Sequence, residues 1–253
     1  MSLFFLKLLA VITMLIDHIG YGFAGNQFWM RFIGRTAFIL YAFMMAESFF
    51  HLREKPERLK SHMGKLLVLS LFTELPYDLF TYKSLFYWKS QNVIFTLFVG
   101  FLALAGCGLW RKKHAGAAGS AGCAGIFLMA AALAYLIRSD YGCAGVSLIF
   151  LFYLYLKKAD TLPPGRKIAF LLAVFAVYFV IYTWSGTDFG GWTESAALAK
   201  GLLRYYPGML IPVLPICLYN RKRGYTSRWF NALYSWFYPA HMAFLFLIRR
   251  FIL

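Results

Sequence analysis

The stretch Leu3–Phe23, LFFLKLLAVITMLIDHIGYGF, decides the fold. It is as long and as apolar as a bilayer-crossing helix, which needs about 20 residues to cover a hydrocarbon core of roughly 30 Å. Yet it carries Lys7 near its start and Asp17-His18 beyond its midpoint. An isolated charge at the bilayer centre costs about 2.5–3.5 kcal/mol on insertion scales, so ionisable residues there point to function. At roughly 100° per residue, the step from Lys7 to His18 brings both back to one helix face, about 16 Å apart along the axis. Neighbouring residues diverge by about 100°, so Asp17 is expected to orient an adjoining helix instead of sharing the face of His18.

The rest of the chain repeats this apolar character. Hydrophobic residues make up 61% and charged residues 14% of the 253, and bilayer-length apolar runs recur throughout. The expected fold is an all-α, polytopic transmembrane bundle, one domain over 1–253, with about nine to ten spans. The runs fall at 3–24, 28–50, 66–82, 91–110, 121–138, 142–156, 167–184, 199–218 and 229–249. Between them, His51–Lys65 reads as a charged loop, His114–Gly125 as a Gly- and Ala-rich break, and Leu162–Gly165 as a break carrying Pro163-Pro164. Ser185–Glu194 is a further polar, Gly-rich break. The first run lacks a basic segment ahead of it and holds charge inside it, so its retention is expected over cleavage as a signal.

A net charge of +16 raises nucleic acid as a partner, but the basic residues form short clusters between apolar runs instead of one continuous soluble face. They read as topology signals, and a lipid bilayer replaces nucleic acid as the expected partner. Alternate loops are basic, around Arg53–Lys65, Arg111–Lys113, Lys157–Lys167 and Arg221–Arg228. Positive charge is retained on the cytoplasmic side, so the N-terminus is expected there, in a multi-pass bacterial plasma-membrane protein. Cys107, Cys123, Cys143 and Cys217 are scattered through apolar runs without metal-site spacing, and no metal is expected.

Counting depth from the span ends puts the intramembrane polar residues together on the outer side. His18, Arg35, Asp78, Arg204 and His241 fall in outer halves, Gln91 and Asn92 open a span there, and Glu74 lies near the midplane. Individually these could be paired core groups, with Arg35 held by Asp78 or Glu74 and both histidines neutral. Together they suggest an outward-facing polar chamber. The abundant aromatics are ascribed to interfacial belts and packing. Within the chamber, His18 suits a general base for group transfer and Arg35 an oxyanion stabiliser, with Asp17 beside them as the third member of the catalytic set. Glu74, Asp78, Asn92, Arg204 and His241 would bind the acceptor. There is no phosphate-binding Gly-rich loop, nucleophile elbow or HExxH motif, which speaks against a nucleotide-driven pump and a zinc protease.

Several segments then carry a resemblance. Asp17-His18-Ile19-Gly20, Gly34-Arg35-Thr36-Ala37-Phe38, Thr73-Glu74-Leu75-Pro76-Tyr77-Asp78, Gln91-Asn92-Val93, Tyr141–Val146, Tyr219–Gly224 and Tyr238-Pro239-Ala240-His241, in that order, resemble the TraX family of integral membrane proteins. That family takes its name from a conjugal-transfer protein that acetylates the pilin N-terminus, and it is similar to the broader transmembrane acyltransferases. The resemblance implies acetyl transfer from cytosolic acetyl-CoA to an outward-facing small-molecule, peptide or envelope-glycan acceptor. Those enzymes commonly place an Arg eleven residues before a catalytic His. Here Lys7 stands in that position, keeping the charge without the bidentate geometry. The resemblance implies a CoA-contacting role for Lys7, with Arg221, Lys222 and Arg223 as further candidates for the CoA phosphates. The distance from Lys7 to His18 is comparable to an extended pantetheine arm. Two other readings stay open from the residues alone: a transporter or channel using the intramembrane charges, and a catalytically inactive membrane assembly partner.

Overall fold

The computed structural model describes residues 1–25, 27–185, 204 and 207–251. Among these, no strand forms, and nine helices follow one another: α1 Leu3–Gly22, α2 Phe28–Leu52, α3 Pro56–Tyr82, α4 Val93–Lys113, α5 Gly116–Leu136, α6 Gly142–Lys158, α7 Pro164–Ser185, α8 Val213–Cys217 and α9 Arg228–Phe251.

Five of them (α1, α2, α4, α5 and α7) are long and apolar enough to cross a membrane. This corrects the expected nine to ten spans. α6 has 17 residues, fewer than the about 20 that cover the hydrocarbon core, and α3 opens on a charged turn. Of the expected span at 199–218, residues 199–203 and 205–206 lie outside the described residues, as do 186–194 of the expected break; the described remainder is mainly a short apolar helical stretch, Pro207–Cys217, that ends in α8. Two expected breaks also prove helical. Pro56 starts α3 at a position where its missing N–H costs nothing, and Leu59 and Leu66 form a narrow buried stripe that holds the charged turn to the bundle. The Gly- and Ala-rich segment is helical from Gly116 onward.

α2 is the axle of the bundle. Nearly every residue from Thr36 to Glu47 is buried, the pattern of a helix covered on all sides, and α1, α6, α4 and α3 pack around it. α9 closes the groove beside α1 and α3. The basic stretches gather at one end. Lys112 pairs with Glu54 at 3.4 Å and Arg221 with Asp160 at 3.2 Å. The loop after α8 caps α1 there: the Leu3 and Phe4 amides donate to the Lys222 and Arg223 carbonyls at 2.9 and 3.1 Å, satisfying donors that a helix start otherwise leaves orphaned. At the opposite end, Gln91 pairs with the α5–α6 loop through its amide to the Arg138 carbonyl and its carbonyl to the Asp140 amide, both at 3.0 Å. That pairing fixes Asp140 over the mouth of the bundle.

Candidate functional site

At the end away from the basic loops, a cavity of about 290 Å³ opens between α1, α2, α3, α9 and the α5–α6 loop. His18, Asp17 and Arg35 all line it, as their depth suggested. The His18 ring meets Phe80 and Tyr238 edge-on, at 6.2 and 5.9 Å between centroids. Its Nδ1 lies 2.7 Å from Nε2 of His241.

Asp17 turns to α2, as its angular offset from His18 required. Its Oδ2 accepts from Arg31 at 2.5 Å, and Arg35 approaches Oδ1 at 3.7 Å. Gly34 makes this approach possible, because a Cβ there would overlap the Asp17 side chain. Arg35 therefore pairs with Asp17, not with Asp78 or Glu74. It also bonds Tyr182. Asp140, an exposed residue, adds a second carboxylate to the chamber lining. Desolvation of its carboxyl where it meets the chamber favours the neutral form and pushes its pKa up to about 6, with Arg35 pulling the other way.

Tyrosines supply most of the remaining polar lining: Tyr21, Tyr41, Tyr77, Tyr82, Tyr141, Tyr182 and Tyr238. Tyr141 is seated by a parallel stack on Phe38, with centroids 3.5 Å apart.

Other expected site residues lie elsewhere. Glu74, Asp78 and Asn92 sit at the right depth but face the α3–α4 corner. The Asn92 side chain donates to Glu74 and to the Ser70 carbonyl at 2.9 Å, and accepts from the Ile94 amide at 3.0 Å as the cap of α4. Asp78 accepts from the Tyr87 amide at 2.7 Å. They close the corner instead of lining the chamber. His241 stands behind His18 and does not line the chamber either. Arg204 is exposed, its guanidinium 4.4 Å from the centre of the Phe28 ring.

Lys7 lies at the other end of α1. It lines a vestibule of about 340 Å³ with Arg223, His51, His62, Glu47 and Tyr219, and donates to Asn231 at 3.1 Å. Arg221 and Lys222 do not line it. Arg221 is pinned to the Leu156 carbonyl at 2.6 Å and to Asp160, and Lys222 works through its backbone. Between vestibule and chamber is a mostly apolar cavity of about 240 Å³. It shares Lys7, Ser48 and His62 with the vestibule, and Met14, Tyr41 and Tyr238 with the chamber. The three adjoin along α1.

Arg31, Asp140 and the tyrosines were not singled out from the sequence. Arg31 had a usable signal, since it precedes Arg35 by one helical turn on the same face. No cluster of metal-ligating residues occurs among the described residues.

Comparison with known proteins matches the family model described as TraX protein over residues 2–249. The chain belongs to the TraX family. Membership and the long apolar helices together make it an integral membrane protein. A curated relative, "Probable fimbrial assembly protein FimC, serogroup H1" of Dichelobacter nodosus, is 32% identical over 114 residues, which are 41% of this chain and 45% of that protein. The chain thus aligns with less than half of that relative's length. No solved structure matches the chain.

Proposed function

We propose that this TraX-family protein is an acetyltransferase of the bacterial plasma membrane, moving acetyl from cytosolic acetyl-CoA to an amine or hydroxyl on the outer side. One observation carries the reading. A single helix, α1, presents His18 to a polar chamber at one end and Lys7 to a basic vestibule at the other, with an apolar cavity adjoining both. The basic loops share the vestibule end, so the positive-inside rule favours a cytoplasmic vestibule and N-terminus, and an outward-facing chamber.

In this scheme the CoA phosphates stay near Lys7 and Arg223 while the pantetheine arm threads the apolar cavity. The acceptor nitrogen or oxygen attacks the thioester carbonyl carbon as His18 takes its proton. Arg35 and the tyrosine hydroxyls favour the oxyanion. Collapse breaks the C–S bond, and the His18 imidazolium returns the proton to the departing thiolate. A positioned base contributes about 10²–10⁴-fold, and preorganised oxyanion donors add to it. The likeness to a protein named for fimbrial assembly favours a pilus subunit as the acceptor.

The test is CoA release by purified protein in lipid nanodiscs given acetyl-CoA and pilus-subunit or envelope extract. Release should depend on acceptor and vanish in a folded His18→Ala variant. Equal release by that variant, or solute flux across a membrane without release, would exclude the mechanism.

A further inference from the structure

Phe237, His241 and His18 form a file of polar contacts leading from α9 to the chamber. The Phe237 carbonyl lies 2.7 Å from His241 Nδ1, and His241 Nε2 lies 2.7 Å from His18 Nδ1. The two imidazoles are within 16° of parallel with centroids 4.9 Å apart, a separation suited to an edge-to-edge N–H···N bond and too long for close face-to-face stacking. The Phe237 ring flanks His241 at 4.9 Å and 15°, and Tyr238 meets it edge-on at 5.5 Å. His241 is thus held on several sides.

This file fixes proton positions. A carbonyl oxygen only accepts, so Nδ1 of His241 carries hydrogen. In a neutral imidazole the other nitrogen then accepts, and His18 must donate to it from Nδ1. Nε2 becomes the unprotonated nitrogen of His18. Asp17, the carboxylate next in sequence, cannot do this job because Arg31 and Arg35 hold it on α2.

We propose that His241 is a positioning residue that sets the tautomer and ring orientation of His18, so that Nε2 is the basic atom offered to the acceptor. This rests on reading the protein as an acetyltransferase. His241 touches no reacting atom. When His18 Nε2 takes the acceptor's proton, the resulting imidazolium keeps its Nδ1–H bond to His241 Nε2, which shares the new charge without taking a proton. Correct orientation of a base by a second group that stays unprotonated is the logic of the serine-protease triad, with a neutral ring in place of a carboxylate.

The experiment pairs kinetics with nitrogen-15 NMR of histidine-labelled full-length protein in nanodiscs, His18 being assigned by its loss in His18→Gln. The parent should show His18 as the Nδ1–H tautomer. His241→Leu should abolish that preference and lower kcat about 100-fold, leaving KM for acetyl-CoA unchanged. His241→Gln, whose amide oxygen can accept from His18 Nδ1–H, should restore kcat to within about tenfold of the parent. A parent His18 in the Nε2–H form overturns the proposal without recourse to any variant, as does a His241→Leu protein with parental kcat. A parent that releases no CoA with any acceptor overturns the acetyltransferase reading instead, and the tautomer measurement separates the two failures.

Discussion

Replacing Asp17 by asparagine tests the ion cluster that fastens α1 to α2. The carboxylate lies 2.5 Å from Arg31 and 3.7 Å from Arg35, with all three side chains only 15–18% exposed, and Arg31 also reaches the Asp17 carbonyl at 3.4 Å. Asparagine preserves the shape and removes the charge, leaving two guanidinium groups around a neutral side chain. Removing one partner of a buried pair costs about 3–5 kcal/mol, and the residual exposure lowers the expected loss here to about 2–3 kcal/mol. A cycle with Arg31→Gln isolates the pair, with an expected coupling of about 1–3 kcal/mol. Reversible unfolding in mixed micelles by increasing fractions of denaturing detergent, followed by tryptophan fluorescence, measures both quantities. Stability of Asp17→Asn within about 0.5 kcal/mol of the parent, with no coupling to Arg31, would refute the assignment.

Gly34→Ala should act on the same cluster from the other helix, since the new methyl overlaps the Asp17 side chain. A loss of about 1–3 kcal/mol in the same unfolding assay is expected, and a neutral result would contradict the close approach. Asn92→Ala removes the α4 cap and the bonds to Glu74 and Ser70, so it should lose about 2 kcal/mol while the folded fraction keeps the parental KM for acceptor. A raised KM would restore Asn92 to the substrate site. Ser48→Trp places a large ring where vestibule and apolar cavity adjoin. Acetyl-CoA turnover should fall at least about tenfold with acceptor binding unchanged; parental turnover would argue against donor threading.

The helices were legible because apolar runs of bilayer length announce themselves, and where the reading departed from the structure the cause is specific. Residues 56–65 read as a loop by charge density, yet Leu59 and Leu66 suffice to bind that turn to the bundle while its charged residues face outward. Depth was legible along each span, but azimuth was not. Glu74, Asp78 and Asn92 share the depth of His18 and face a different corner, because a short run of polar residues does not specify which neighbour its face meets. For Asp17 the angular argument did hold, since a 100° step from His18 directs it to another helix. The tyrosines could not be separated from belt and core aromatics, since 20% of the chain is aromatic at every depth. Asp140 sits in a connecting loop, where a carboxylate gives no intramembrane signal. The pairing of His18 with His241 spans 223 residues and appears only once α9 packs beside α1.

Sided acyl transfer is the most direct measurement. Sealed proteoliposomes receive labelled acetyl-CoA only on the face of the basic loops, with acceptor enclosed on the other. Labelled acceptor inside, one CoA freed outside for each acetyl moved, and loss of both in His18→Ala are the expected results. Label that never crosses to the enclosed acceptor, or transfer by His18→Ala at the parental rate, would contradict a histidine-driven reaction fed through the bundle.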